Sequence, residues 1–365
     1  MIRLGLIGCG GVAESRHLPA LRRVRGVRVA ALADVDPSRL ERVARRFGAA
    51  RRYENYSDLI EGGDVDAVAV CVPPTLHADA ARAALDAGKH VFIEKPLALG
   101  LAECDRLIEA AEARRALKVT VGFNLRAHRL VRAAREIVGR GELGEVKLVG
   151  TTFTSGARLG EGFADWRTRR ESGGGALFEQ GSHHFDLLRF LLGREAEEVS
   201  AASGRADETA TFMARMEGGA QVVSAFSEGT AESHAVEVYG ARGRLRVSLY
   251  RADGLEQFRV GEYAGAPRVR LREAVRTLRA LPRVMQRSAR GGDQLESYAE
   301  EWRQFVGAIT RDAPVACTLR DGRRALEIAL AAWESSATRR AVRLDDTKAE
   351  EFCQQWTAKH QETQA

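Results

Sequence analysis

The chain has 365 residues, 45% of them hydrophobic and 29% charged, with a formal net charge of +6 and only 8 prolines. This is more chain than one hydrophobic core usually supports, so two domains are expected, and the balance excludes disordered and collagen-like classes. Five scattered cysteines without a CxxC pair exclude a disulfide framework and a zinc site; with no charged leader and no apolar run of membrane-spanning length, a cytoplasmic protein is expected.

The first 120 residues alternate strand-like and helix-like segments, with strands expected at 2–7, 27–33, 67–72, 91–93 and 119–121. Such alternation predicts a parallel sheet covered by helices, an α/β Rossmann domain over 1–122. The first strand runs into "LIGCGGVA", which gives Gly8-x-Gly10-x-x-Ala13. Gly8 suits a tight turn, Gly10 lets a pyrophosphate come close to backbone, and Ala13 is small enough for helix–sheet packing. The helix that follows would aim its free N–H groups at the phosphate, although Pro19 predicts a kink or a restart in it. At the end of the second strand Asp34 is placed to bond ribose hydroxyls and to repel a 2′-phosphate, favouring NAD; nearby Arg39 could meet that phosphate and leaves NADP open. In "DVDPSRLERVARRFG" Asp36 reads as a helix cap, Pro37 as the first helical residue and Gly48 as the exit. "PPTLHADAARAALDAGKH" repeats the plan, with Thr75 as cap and Gly88 as stop.

Next comes "GGGALFEQGSHHFD", residues 173–186. On one helix Glu179, His183 and Asp186 stand on a common face at i, i+4 and i+7, His184 turns about 100° away, and Phe178, Phe185, Leu188 and Leu192 form an apolar anchoring stripe. The glycines read as room for backbone to approach a cofactor. From about residue 199 to 260 strands arrive in succession without helices between them, including "TATFMARM", "QVVSAFS", "AVEVYG" and "GRLRVSLY", which predicts an antiparallel sheet. The segment "PRVRLREAVRTLRALPRVMQRSAR" sets eight arginines against Glu273 and reads as a solvated face or oligomer rim, a site for an anionic substrate, or a nucleic-acid or membrane surface. The chain carries no independent module for either of the last two, so neither nucleic acid nor membrane is expected as a partner. Two late helices, "QLESYAEEWRQFVGAI" and "GRRALEIALAAWESSA", would pack on the sheet, and 346–365 is a polar tail.

"GCGGVA", "PPTLH", Glu94-Lys95-Pro96 in "AGKHVFIEKPLAL", "GFNLR" and "GGGALFEQGSHHFDLLRFLLG" occur in an order that strongly resembles the Gfo/Idh/MocA oxidoreductases, named for glucose-fructose oxidoreductase, inositol dehydrogenase and a rhizopine catabolism protein. The resemblance runs from residue 1 to about 344. It implies a second, α+β domain over 123–345 with a large, mostly antiparallel open sheet whose face makes homodimer or homotetramer contacts, and an active site in the cleft between the domains. It also implies that NAD is lined by Gly8, Cys9, Gly10, Gly11, Val12, Asp34, Arg39, Pro73, Thr75, Glu94 and Lys95, with Asn124, Trp166, Arg167 and Tyr298 completing the nicotinamide side. Substrate would meet Lys95, Arg126, His183, His184 and Asp186, with no metal. Oxidising a secondary alcohol requires a base, which the ordinary pKa of His183 suits, and a donor that stabilises the developing alkoxide, which suits Lys95. The family's usual Asp four residues before the histidine is Glu179 here, about 1.5 Å longer, and small positional errors are costly in catalysis. The expected function is NAD(P)-dependent hydride transfer on a secondary hydroxyl or ketone of a sugar, cyclitol or related polyol. An NAD-retaining hydrolase or epimerase and a non-catalytic NAD-binding protein are the alternatives.

Overall fold

The computed structural model describes residues 1–344 except 50, 63, 161–163 and 205–206, so the tail expected at 346–365 lies outside the described residues. Two compact units emerge. The first holds Met1–Ala127, Glu171–Gly173 and Ser297–Glu327; the second holds His128–Arg170, Gly174–Glu296 and the chain from Ile328 onward.

The first unit alternates β1 (Ile2–Ile7), α1 (Leu18–Leu21), β2 (Val27–Ala33), α2 (Pro37–Phe47), β3 (Arg51–Tyr53), α3 (Tyr56–Gly62), β4 (Ala67–Val70), α4 (His77–Asp86), β5 (His90–Glu94), α5 (Leu101–Glu112) and β6 (Val119–Gly122). All strands are parallel in the order β3-β2-β1-β4-β5-β6. Residues such as Leu4, Leu6, Val68, Val70, Phe92 and Ile93 are fully buried, as a sheet covered on both faces requires. The order reverses between β1 and β4, and the glycine loop leaves β1 at that switch point, where such sheets bind ligands.

Local signals explain most of these elements. The Asp36 side chain accepts the Arg39 N–H at 3.0 Å, Pro37 opens α2, and Gly48 closes it at φ +76°. Pro19 restarts a helix as its missing donor demands: the turn Ala13–His17 widens into a π-helix and α1 resumes with the proline in its first turn. Thr75 is not a cap. Residues Pro74–Leu76 form a 3-10 turn, α4 starts at His77 behind Leu76, and no side chain caps it.

The second unit contains α6 (Arg129–Gly139), β7 (Val146–Thr154), α7 (Ala176–Glu179), α8 (Gly181–Leu192), β8 (Ala196–Ser203), β9 (Thr209–Met216), β10 (Gln221–Ser227), β11 (Ser233–Gly240), β12 (Gly243–Ser248), β13 (Leu255–Arg259) and α9 (Pro267–Ala289). After α10 (Gly292–Arg311) and α11 (Leu319–Thr338), which supply Ser297–Glu327 to the first unit, β14 (Val342–Arg343) closes the second. Its sheet runs β13-β12-β11-β7-β10-β9-β8-β14, with β10 parallel to β7 and every other pair antiparallel. Along β9, Ala210, Phe212, Ala214 and Met216 are buried while Thr209, Thr211 and Met213 are exposed, so the sheet has one core face and one open face. Helix α8 contributes Phe185, Leu187, Leu188 and Leu191 to the core, Phe185 lying 4.6 Å from Phe212. Among the described residues no helix is long and apolar enough to cross a membrane.

Candidate active site

In the first unit, Gly8 sits at φ +90°, and a Cβ there would come within 2.5 Å of the Cys71 carbonyl oxygen, so only glycine makes this turn. A Cβ on Gly10 or Gly11 would meet nothing within 4 Å, which leaves the loop open to a ligand. The helix begins there, with Glu14 N–H bonded to Gly10 O at 2.9 Å. Asp34, almost fully buried, accepts the Cys9 N–H at 2.7 Å and the Asp36 N–H at 2.9 Å, and Arg39 approaches it at 3.3 Å. Cys9 itself has no exposed surface, and burial, reinforced by Asp34, pushes its thiol up to about 12. It serves the loop through its backbone and not by presenting sulfur. These features fit the pyrophosphate and ribose of a dinucleotide.

Glu94 and Lys95 leave the end of β5. Glu94 is buried and accepts from its neighbour's Lys95 N–H at 2.9 Å, while its other oxygen meets His17 Nε2 at 2.7 Å. His17 Nδ1 accepts the Trp302 indole N–H at 3.1 Å, which fixes the tautomer: Nε2 carries the proton and donates it to Glu94. Burial alone would raise the Glu94 carboxyl, yet the bond from His17 and the adjacent Lys95 charge hold it below its usual range. Lys95 is half-buried. His77 reaches the Pro96 and Val72 carbonyls at 2.6 and 2.9 Å, clipping the loop that carries Lys95 to the end of β4, where Pro73 and Thr75 are exposed.

Three residues assigned to the cofactor or substrate have protein partners in the first unit. Arg126 pairs with Asp321 at 3.0 Å; burial would raise that carboxyl, but the guanidinium pulls it down to about 2. Tyr298 is buried, its ring edge-on to His17 at 5.1 Å. Asn124 is buried and donates to Ser297 Oγ at 3.1 Å.

In the second unit the paired histidines separate in role. His184 has no exposed surface; its Nδ1 lies 2.8 Å from Thr151 Oγ1 and its Nε2 3.0 Å from His234 Nε2. Thr151 donates onward to Ser224 Oγ at 2.8 Å, so the proton order follows: His234 donates to His184, His184 to Thr151, Thr151 to Ser224. Burial takes the His184 pKa down to about 3 and that of His234 well below its usual value, so this chain is neutral. His184 is therefore a core residue and not a substrate-facing one. His183 is half-buried, its ring 6.1 Å from Phe153. Asp186, expected on the same presenting face, is instead wholly buried, 3.8 Å from Arg189.

The expected single helix is divided into two abutting segments. Helix α7 ends at Glu179 and α8 starts at Gly181, with Gln180 between them in a helical conformation at φ −92° and ψ −42°. Glu179 pairs with Arg167 at 3.0 Å, and Trp166 is half-buried in the same 3-10 turn. Two of the glycines shape this turn: a Cβ on Gly174 would lie 2.3 Å from the Arg167 carbonyl oxygen, and Gly175 sits at φ +83°.

Sequence reasoning missed one carboxylate here. Glu228, just past β10 and 1% exposed, pairs with Arg158 at 3.1 Å, and among the described residues its Oε1 has no hydrogen-bond partner. Gln180 ties the segments together, its amide donating to Ser227 O at 2.7 Å and Ser155 Oγ at 3.1 Å. Burial, with the Glu179 charge adding to it, raises Glu228 to about 7 against the pull of Arg167 and Arg158. His17 was also missed, because its partners Glu94 and Trp302 are distant in sequence.

A family model described as "Oxidoreductase family, NAD-binding Rossmann fold" matches residues 2–123, and one for the GFO/IDH/MocA C-terminal domain matches residues 131–246. A myo-inositol 2-dehydrogenase of Thermotoga maritima is 29% identical over 357 residues, covering 94% of this chain and 99% of that protein. A dTDP-3,4-didehydro-2,6-dideoxy-alpha-D-glucose 3-reductase of Saccharopolyspora spinosa is 33% identical over 247 residues, 67% of this chain and 74% of the relative. Among solved structures, a probable dehydrogenase from Thermotoga maritima aligns with a TM-score of 0.76 at 26% identity, covering 94% of this chain and 99% of that one.

Proposed function

Since the chain belongs to the GFO/IDH/MocA oxidoreductases, an NAD-binding family, we propose that it interconverts a secondary alcohol and a ketone on a cyclitol, sugar or related polyol. The relatives named for inositol and for a deoxysugar nucleotide support that substrate class. One observation carries the assignment of roles: of two adjacent histidines, His184 is wholly buried in a hydrogen-bond chain, whereas His183 is half-buried and keeps part of its surface exposed on α8.

The loop Gly8 to Val12, Asp34, Pro73 and Thr75 would hold the dinucleotide. When bound, NAD supplies the acceptor for the hydride that leaves the alcohol carbon. In the second unit His183 would be the base for a hydroxyl proton, and in the first Lys95 would be the donor that stabilises a developing negative charge. Glu94, fixed by His17, holds the Lys95 backbone through the 2.9 Å bond from its N–H. Glu179, anchored by Arg167, acts as a positioning carboxylate on the approach to α8. The open sheet face would carry a homodimer or homotetramer contact.

The decisive assay offers the purified chain NAD or NADP with a panel of inositols, sugars and deoxysugar nucleotides and follows the reduced-nicotinamide absorbance. Stoichiometric NADH with a polyol is expected, and Lys95→Met and His183→Asn should each abolish it while NAD still binds. Product formed without net NADH would replace this reading with transient oxidation by an NAD-retaining hydrolase or epimerase. Cofactor binding with no turnover on any panel member would replace it with a non-catalytic NAD-binding role.

A further inference from the structure

Helix α9 carries a stripe of large apolar residues on its outside. The side that meets the rest of the second unit is formed by Val269, Glu273, Arg276, Ala280, Val284 and Arg287, all buried or half-buried. On the opposite side Leu271 is 68%, Leu278 70%, Leu281 49% and Met285 65% exposed. Their three-, four- and seven-residue spacing makes one stripe roughly 21 Å long at 1.5 Å per residue. A surface helix that packs on its own domain ordinarily has the reverse pattern, so this face is built for contact with something else.

Arginines run beside the stripe. Arg272 pairs with Glu262, Arg276 with Glu256, and Arg287 with Asp293. Arg268 and Arg279 are exposed and have no anionic partner among the described residues. Together with Leu271, Val275 and Val284 they line an open groove of about 750 Å³ along the helix.

Shape and charge select the occupant. The stripe is convex and aliphatic, so it needs a deformable apolar medium rather than a matching cleft. A second copy of α9 would bring two arginine-rich flanks together and repel. An anionic bilayer surface satisfies both features, because aliphatic side chains sink to headgroup depth while arginines extend to the phosphates. We propose that α9 is a membrane-surface docking helix that lays its Leu271-to-Met285 face on an anionic bilayer, with Arg268 and Arg279 binding lipid phosphates. This differs from the sequence expectation of no membrane partner. It requires no spanning segment and does not depend on the oxidoreductase reading.

The test is flotation of the full chain with vesicles of phosphatidylcholine alone or mixed with phosphatidylglycerol. Co-flotation is expected with the mixed vesicles only, weakening as salt screens the arginines. The Leu271→Ser/Leu278→Ser/Met285→Ser variant should lose at least about ten-fold in partitioning. Arg268→Ala and Arg279→Ala should each lose about five-fold. Circular dichroism and NAD binding of the variants should match the parent, and the arginine variants keep the test valid if the triple variant misfolds. Failure to float, or equal flotation of parent and arginine variants, overturns the proposal. A fall in oligomeric mass of the stripe variant by light scattering, without any flotation of the parent, would assign the face to a second copy instead.

Discussion

The carboxylate of Asp34 is oriented before any ribose reaches it, by the Cys9 N–H at 2.7 Å, the Asp36 N–H at 2.9 Å and Arg39 at 3.3 Å. Asp34→Ala should raise KM for NAD roughly 10- to 100-fold, the worth of a hydrogen bond to a charged group, and free Arg39 to meet a 2′-phosphate. Steady-state kinetics with both cofactors checks this; an unchanged NAD/NADP ratio of kcat/KM would remove Asp34 from recognition. Glu179 poses the corresponding question on the second unit, since the family's shorter acid would not span the same 3.0 Å contact to Arg167. Glu179→Asp withdraws the carboxylate by about 1.5 Å, and kcat is expected to fall at least about ten-fold with the Kd for NAD unchanged. A fall in NAD affinity instead would show Glu179 acting on the cofactor. That Glu179 had an arginine partner at all was not legible in the sequence, because Arg167 lies on a 3-10 turn with no periodicity to announce which way it points.

Between elements, helical spacing was a good guide to anchoring and a poor one to presentation. It identified Phe178, Phe185 and Leu188 as buried, but nothing in the spacing separates Asp186, wholly buried, from the half-buried Glu179 and His183. The junction of α7 and α8 is stitched to the end of β10 by Gln180, and so brings Glu228 into the same polar cluster. Glu228 faces Arg158 from the turn after β7, Arg167 from the next turn and Glu179 from α7. Burial keeps it protonated up to about pH 7 in the folded chain, whereas an exposed carboxyl ionises near 4.5. Between those values the unfolded chain binds fewer protons than the folded one, so stability falls as pH rises through this window, by at most about 3 kcal/mol. Glu228→Gln should abolish that fall, which thermal melts at pH 5 and pH 8 would detect as a smaller Tm difference than the parent's. An equal Tm difference in the variant would mean that Glu228 ionises normally in the fold.

Across the molecule, the change from alternating to successive strands was enough to foresee a parallel sheet and an antiparallel one, since each rests on local periodicity. Membership of the late chain was not foreseeable in that way. Residues Ser297–Glu327 join the first unit through contacts such as Thr120 Oγ1 to Cys317 O at 2.8 Å and Trp302 to His17, pairings that no spacing encodes. The sheet of the second unit raises the matching question of what covers its open face. At its centre Thr211 and Met213 on β9 stand opposite Ala225 and Val223 on β10, all four exposed, with Arg215 opposite Gln221 at the border of this patch. Val223 and Met213 are direct cross-strand partners, 50% and 55% exposed, so they form the apolar centre of a flat patch that water covers poorly. A homo-oligomer joined through this face would bury both. Val223→Arg would then set a desolvated charge beside its own symmetry copy or close to it, and burying an unpaired charge costs several kcal/mol, enough to shift the assembly to monomer at micromolar concentration. Light scattering on a sizing column should therefore show parent mass at a multiple of 39.9 kDa and the variant at that value. Equal masses for parent and variant would leave this face solvent-exposed and move the oligomer contact elsewhere.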